Sequence, residues 1–227
     1  MKVLVVGGSK GIGKACTEML LEMGAEVIVA ARSKGEIGHL PIEFIEIDVL
    51  QDVSELEDLG ELNGLIYCPG SINLRPFNRL TNEDYLNDFE LNVLGATKCI
   101  NASLKGLKQG NGAIVLFSTV AVQQGMAFHA SVAASKGALE GLTRSLAAEF
   151  APSVRVNCVA PSLTDTPLAE ALLNNEKKRE ASEQRHPLKR VGRPEDIAAM
   201  AVHLVSDNAS WISGQVISID GGMSRLR

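Results

Sequence analysis

Residues 3–13, Val3-Leu4-Val5-Val6-Gly7-Gly8-Ser9-Lys10-Gly11-Ile12-Gly13, set an apolar run directly against spaced glycines. A strand buried on both faces reads as a continuous apolar run, and Val3 to Val6 does so. After Gly13 the pattern changes period: Ala15, Met19 and Leu20-Leu21 fall near one helical face. The glycines therefore sit on a strand-to-helix turn. Backbone N–H groups and the positive end of the helix dipole are free there to bind a phosphate. Gly7, Gly11 and Gly13 let the backbone approach a pyrophosphate closely and let the helix pack tightly on the strand.

Outward from this turn, strand and helix patterns alternate. Glu26–Ala31 reads as a second strand, Ile42–Ile47 as a third, Leu62–Cys68 as a fourth and Ala113–Phe117 as a fifth. Val154–Val159 and Val216–Ile219 follow. A long helix is expected over about Asn82 to Lys108, with Thr81 or Asn82 as N-cap. Further helices are expected over about Ala130 to Phe150 and Asp196 to Val205, and a charged stretch without strand character over about Leu168 to Lys189. Such alternation implies right-handed crossovers. The expected fold is an α/β, Rossmann-type doubly wound parallel sheet of about seven strands in three αβα layers. No repeat or low-complexity linker interrupts the chain, so residues 1–227 are expected to form a single dinucleotide-binding domain. Ligands of such sheets bind beyond the carboxyl ends of the strands, which makes the strand ends the residues to inspect.

The 227 residues are 45% hydrophobic and 22% charged, with a net charge of −5. That balance argues against a nucleic-acid or anionic-membrane partner. No apolar stretch approaches the ~20 residues that span a bilayer. Met1 runs at once into a core strand, leaving no room for a signal peptide, so the cytoplasm is the expected location. Cys16, Cys68, Cys99 and Cys158 are scattered and read as reduced core thiols. His39, His129, His186 and His203 have no metal-ligand spacing, and no metal is expected.

The strand ends together resemble one family, the short-chain dehydrogenase/reductases, from Val3 to about Met223. Gly7-Gly8-Ser9-Lys10-Gly11-Ile12-Gly13 is similar to its T-G-x3-G-x-G turn. Ile47-Asp48-Val49 is similar to its adenine-binding segment, and Tyr67-Cys68-Pro69-Gly70 stands where N-N-A-G is usual. Leu91-Asn92-Val93-Leu94-Gly95 resembles the helix of the catalytic Asn, and Ile114 to Thr119 the strand leading to the catalytic Ser. Ala160-Pro161-Ser162-Leu163-Thr164-Asp165-Thr166 resembles the P-G-x3-T loop that holds the nicotinamide. Gly192 to Ala198 and Ile219 to Gly222 resemble the C-terminal signature. The resemblance implies an oxidoreductase moving hydride between a nicotinamide cofactor and a substrate. It places the cofactor on Gly7, Ser9, Lys10, Gly11, Ile12, Gly13, Asp48, Val49, Cys68, Gly70, Lys136, Pro161, Leu163 and Thr166.

Cofactor type is readable from charge. An acid at the end of the second strand bonds the 2′-hydroxyl of NAD; a 2′-phosphate wants cations. That strand ends Ala30-Ala31-Arg32-Ser33, with no acid. Arg32 offers a planar guanidinium, Ser33 a hydroxyl and Lys10 a second charge, which points to NADP(H).

The pattern breaks at the proton donor. The family uses Tyr with Lys four residues on, one helical face, and a Ser thirteen residues before the Tyr. Here Lys136 fits, Thr119 stands at the Ser position with Ser118 beside it, and Val132 stands at the Tyr position. A valine donates no proton. Ser131, His129 and Tyr67 remain as candidate replacements. Dienoyl-CoA reductases resemble this chain in keeping the Lys without that Tyr, and enolate stabilisation is then what the site must supply.

These residues lead to an NADP(H)-dependent reductase of a carbonyl or activated alkene with a non-standard proton donor. In it Lys136 orients the nicotinamide ribose and a proton-relay water, Asn92 holds that water, and Thr119 with Ser118 polarises the substrate oxygen. The substrate is a small molecule or acyl thioester; the charge run Asn174–Arg190 is either a solvated face or an attraction for an anionic carrier. The alternative is a catalytically silent NADP(H)-binding sensor or oligomer partner. Surfaces on the Asn82–Lys108 helix, the Ala130 helix and the last strand resemble those of family dimers and tetramers. Val202, Leu204, Ile212 and Val216 are expected to lie exposed in a monomer, so a homo-oligomer is expected.

Overall fold

Seven strands, β1 (Lys2–Val6), β2 (Glu26–Ala31), β3 (Glu43–Glu46), β4 (Gly64–Tyr67), β5 (Ala113–Phe117), β6 (Arg155–Pro161) and β7 (Val216–Ile219), form one parallel sheet. Their order is β3-β2-β1-β4-β5-β6-β7 in a computed structural model that describes residues 1–226. The chain starts at the centre, winds out to β3, returns beside β1 as β4 and winds out the other way. The crevice where it reverses lies beyond the carboxyl ends of β1 and β4, directly at the glycine turn.

Alternation along β1 sorts the core into two layers. Leu4 and Val6 pack with Ala96, Cys99, Ile100 and Leu107 of α3 (Gly95–Gln109) and with Leu139 and Phe150. Val3 and Val5 pack on the opposite face with Ala15, Cys16 and Leu20 of α1 (Gly11–Glu22) and with Ile197, Ala201 and Val205. Val3 to Val6 are fully buried, worth roughly 1.5–3 kcal/mol for each side chain. This doubly covered sheet explains why the strands read as apolar runs rather than as alternating ones. All four cysteines are free.

The expected long helix from Asn82 is two helices. α2 (Asn82–Phe89) begins with a capping box between Thr81 and Asp84, and α3 continues its line. Between them Glu90–Leu94 forms a π-helical turn, the widened geometry common at functional sites. It carries Asn92. After β5 come α4 (Ala121–Gln124) and α5 (Ala130–Phe150). The charged stretch after β6 holds no strand but two helices, α6 (Glu170–Leu173) and α7 (Glu176–Arg185), and α8 (Pro194–Val205) precedes β7.

One surface expectation is corrected. Val202 and Leu204 are buried, because α8 turns them onto the sheet beside α1, while Ile212 and Val216 are half-buried. The exposed large apolar residues include Phe77, Leu86, Phe89, Leu94 and Trp211 instead.

Candidate functional site

The glycine turn has the shape an anion requires. Gly7 and Gly11 adopt φ of +74° and +52°, and a side-chain carbon on Gly13 would collide with the Gly7 carbonyl oxygen. Thr17 ties the helix down, its hydroxyl within reach of the Gly13 and Gly8 carbonyls at 3.0 and 3.2 Å. No side chain caps the start of α1 and its first turn holds no acid, so its N–H groups and dipole face outward unneutralised. Thr166, at the end of the loop after β6, lies over the same turn: a side-chain carbon on Gly11 would touch it at 3.4 Å.

Lys10 leans toward the end of β2, where a side-chain carbon on Gly35 would meet its Cε at 3.7 Å. Arg32 and Ser33 are exposed on the same edge, and none of these three side chains has a hydrogen-bond or ion-pair partner among the described residues. The acid of this loop, Glu36, is bound by Lys14 at 2.6 Å, which holds its carboxyl below the usual range. The edge thus keeps two unpaired cations. Asp48, after β3, accepts from the Leu50 N–H at 3.0 Å and is partly exposed, with Val49 buried beside it.

Beyond β4, β5 and β6 opens a cavity of about 860 Å³. Ile12, Cys68, Gly70, Ser118, Thr119, Val132, Lys136, Pro161, Leu163 and Thr166 all line it, so segments far apart in sequence converge on one space. Lys136 is buried, with Nζ donating to the Phe117 carbonyl at 2.9 Å. Burial lowers its pKa to about 8, against weaker opposing influences from Cys158, Cys68 and Asp88. A side-chain carbon on Gly70 would meet Lys136 Nζ at 3.2 Å and Asn92 Oδ1 at 3.3 Å. Glycine at this strand end leaves both polar atoms open to one small volume. Asn92 Nδ2 donates to Ser71 Oγ and Ser135 Oγ at 3.1 and 3.0 Å, while its buried Oδ1 has no partner among the described residues.

Thr119 and Ser118 separate. Thr119 accepts from the Ala121 N–H at 3.3 Å, which leaves its own O–H free to donate into the cavity. The Ser118 hydroxyl donates instead to Glu140 Oε1 at 2.8 Å, both groups being buried, and braces β5 against α5. The three candidate donors also differ. Tyr67 is buried, its hydroxyl donating to the Leu91 carbonyl at 2.6 Å, where it supports the π turn; burial raises its pKa far out of the working range. Ser131 is buried, and its Oγ has no partner among the described residues. His129 is half-buried and lines the cavity, with Nδ1 2.8 Å from the Ala127 carbonyl. Val132 itself is buried in the cavity wall, one helical turn from Lys136.

Two cavity residues escape the sequence reading. Ser162 Oγ lies 2.8 Å from His186 Nε2, and Ser162 lines the cavity. Ser162 carried a signal, a serine where the resembled loop has glycine; His186, at the end of α7, carried none. Lys178 and Arg185 of α7, both exposed, also line the cavity. No group of three or more metal-ligating side chains exists among the described residues. No helix among them is long and apolar enough to cross a membrane.

Residues 6–224 match the family described as Enoyl-(Acyl carrier protein) reductase. The chain is 34% identical to a tropinone reductase homolog of Arabidopsis thaliana, over 97% of this chain and 91% of that protein. It is 33% identical to the 3-oxoacyl-[acyl-carrier-protein] reductase of Thermotoga maritima, over 97% of this chain and 96% of that one. Among solved structures, ElxO with NADP bound superposes with a TM-score of 0.91 at 27% identity, covering 99% of both chains.

Proposed function

Because this chain belongs to the short-chain dehydrogenase/reductase family of oxidoreductases, we propose that it is an NADP(H)-dependent reductase of a carbonyl or activated alkene, working without the family's tyrosine. The observation that carries the reading is the meeting of Thr119 and Lys136 at one cavity beside the glycine turn, with Asn92 buried next to Lys136 across Gly70. A silent binding protein has less use for the full set of Lys136, Asn92 and a hydroxyl at Thr119. The residues present fit a dinucleotide: the uncapped start of α1 for its pyrophosphate, Lys10, Arg32 and Ser33 for a 2′-phosphate, and Asp48 with Val49 for the adenine side. When bound, the reduced nicotinamide supplies hydride.

The chain's own groups do the rest. Gly70, Pro161, Leu163 and Thr166 frame the nicotinamide side of the cavity, and Lys136 holds the ribose. Thr119 O–H donates to the substrate oxygen and favours the charge that develops there. Asn92 Oδ1 and Lys136 Nζ, both open beside Gly70, hold a relay for protons. Ile72, Leu74, Phe128, Leu168 and Leu172 give the substrate side an apolar lining, which suits a hydrophobic small molecule or acyl group, with the exposed Lys178 and Arg185 beside it for an anionic carrier. Action on such substrates fits a cytoplasmic setting. Exposed Phe77, Leu86, Phe89 and Leu94 around α2 suit a homo-oligomer, dimer or tetramer.

The test is NADPH consumption by the natural chain, Val132→Tyr and Lys136→Ala against a ketone panel and an enone panel. Carbonyl reduction predicts a gain in Val132→Tyr on ketones of at most the roughly 10²- to 10⁴-fold worth of a general acid, smaller where another group already supplies the proton. Alkene reduction predicts little change in Val132→Tyr; both predict loss in Lys136→Ala. NADPH binding with no turnover on either panel by any form sinks the enzymatic reading and leaves the silent one, which Val132 favours.

A further inference from the structure

The Ser162–His186 pair has a geometry that neither the fold nor the cofactor site requires. His186 is buried at the end of α7, and its two ring nitrogens are both engaged. Nδ1 lies 2.8 Å from the Ser182 carbonyl, an acceptor, so Nδ1 carries a hydrogen in either charge state. That leaves Nε2 as the titrating nitrogen, and it lies 2.8 Å from Ser162 Oγ. Met223 Sδ, 3.1 Å from the same hydroxyl, is the weaker acceptor. Ser162 in turn faces the cavity that Thr119 and Lys136 line. Thr119 and Ser162 follow the ends of the paired strands β5 and β6, stitched beyond the strands by the Val120 N–H donating to the Pro161 carbonyl at 3.1 Å. Thr119 and Ser162 thus line the same cavity from adjoining strand ends.

We propose that His186, acting through the Ser162 hydroxyl, is the proton source that replaces the missing tyrosine; the proposal rests on the reductase reading above. Hydride from the reduced nicotinamide adds to the carbonyl carbon, and the carbonyl π pair moves to oxygen. That oxygen takes the Ser162 hydroxyl proton as Ser162 Oγ takes the Nε2 proton of the imidazolium. The products are an alcohol, the oxidised cofactor and a neutral His186 with its remaining hydrogen on Nδ1. After product leaves, a proton from the cavity returns through Ser162. The groups around the ring are the Asp220 carboxylate beyond β7, the carbonyl end of α7, the Ser182 acceptor and Arg185, the preceding residue on α7; Gly221, against the ring from the β7 side, brings no charge.

Two measurements on the full chain decide it. The first follows the imidazole nitrogens of His186 by NMR from pH 5 to 8.5 in the natural chain. The expected result is an Nδ1–H tautomer at high pH, with Nε2 protonating inside this range. The second compares kcat with NADPH for the natural chain, Ser162→Ala, Ser162→Thr and His186→Gln. Ser162→Ala is expected to lose roughly 10²-fold or more in kcat, with NADPH affinity kept, and Ser162→Thr to recover most of it. In the natural chain kcat is expected to fall as pH rises through the NMR midpoint, and His186→Gln to lose that dependence. A ring that stays neutral throughout overturns the proposal, and so does Ser162→Ala turnover within about threefold of the natural chain, a gap too small for a lost general acid. Either result leaves the reductase reading standing. A natural chain silent on both substrate panels fails that reading first and takes this proposal with it.

Discussion

Replacing Lys136 by Met should remove a gain in stability toward alkaline pH while abolishing the protein's chemistry. Lys136 is buried, and its pKa falls from the ordinary 10.5 to about 8 because burial penalises the ammonium. At ~1.36 kcal/mol per pH unit, that drop is about 3 kcal/mol of instability carried at pH 7, where the group is charged in both folded and unfolded chains. Between pH 8 and 10.5 the unfolded chain holds a proton that the folded chain has shed, so this part of the stability rises with pH. Over pH 7 to 10 the natural chain should therefore gain about 2 kcal/mol relative to Lys136→Met. At pH 7 the variant sheds the ammonium penalty but strands the Phe117 carbonyl, now paired with Nζ at 2.9 Å, at a cost of about 1–3 kcal/mol. The net is a variant equal to or up to about 2 kcal/mol more stable than the natural chain. Urea unfolding at the two pH values, with protein concentration fixed because assembly shifts apparent stability, gives the difference directly. Parallel pH dependences for the two proteins refute the argument that Lys136 is a desolvated ammonium. The same titration predicts that NADPH affinity weakens above about pH 8 in the natural chain as the ammonium is lost.

Three further outcomes follow from the geometry. Calorimetry should show NADPH binding at least about tenfold tighter than NADH, roughly 1.4 kcal/mol, with Arg32→Ala erasing most of the gap; equal affinities in the natural chain rule out the cationic edge as a selector. Gly13→Ala drives a carbon into the Gly7 carbonyl, backbone against backbone, so it should lower the melting temperature and abolish nucleotide binding; unchanged binding by circular dichroism-matched samples contradicts the tight helix–turn packing. Light scattering should give a mass of two or four chains at micromolar concentration, falling in a Leu86→Lys, Phe89→Lys double variant; a monomeric natural chain refutes the assembly.

The local pattern was enough to fix what depends on neighbours along the chain. Val3 to Val6 read as a doubly buried strand, and Gly7, Gly11 and Gly13 as an anion-binding turn, because strand period, helix period and glycine conformations are properties of short segments. Lys136, Thr119 and Val132 were singled out by the resemblance to a family pattern, and Arg32 by its position after a strand. What escaped depends on long-range placement. Ser118 and Thr119 are adjacent and chemically alike, yet one is spent on Glu140 and the other faces the cavity, a choice made by how β5 packs on α5. The fate of Val202 and Leu204 was set by the docking of α8, not by their hydrophobicity. The widening of the helix at Asn92 has no local sequence period. Ser162 and His186 meet only because the loop after β6 folds back under α7 across 24 positions of sequence. Periodicity reports which face of an element is apolar; only the packed tertiary structure brings two elements' polar atoms to 2.8 Å, as it does at Ser162 and His186.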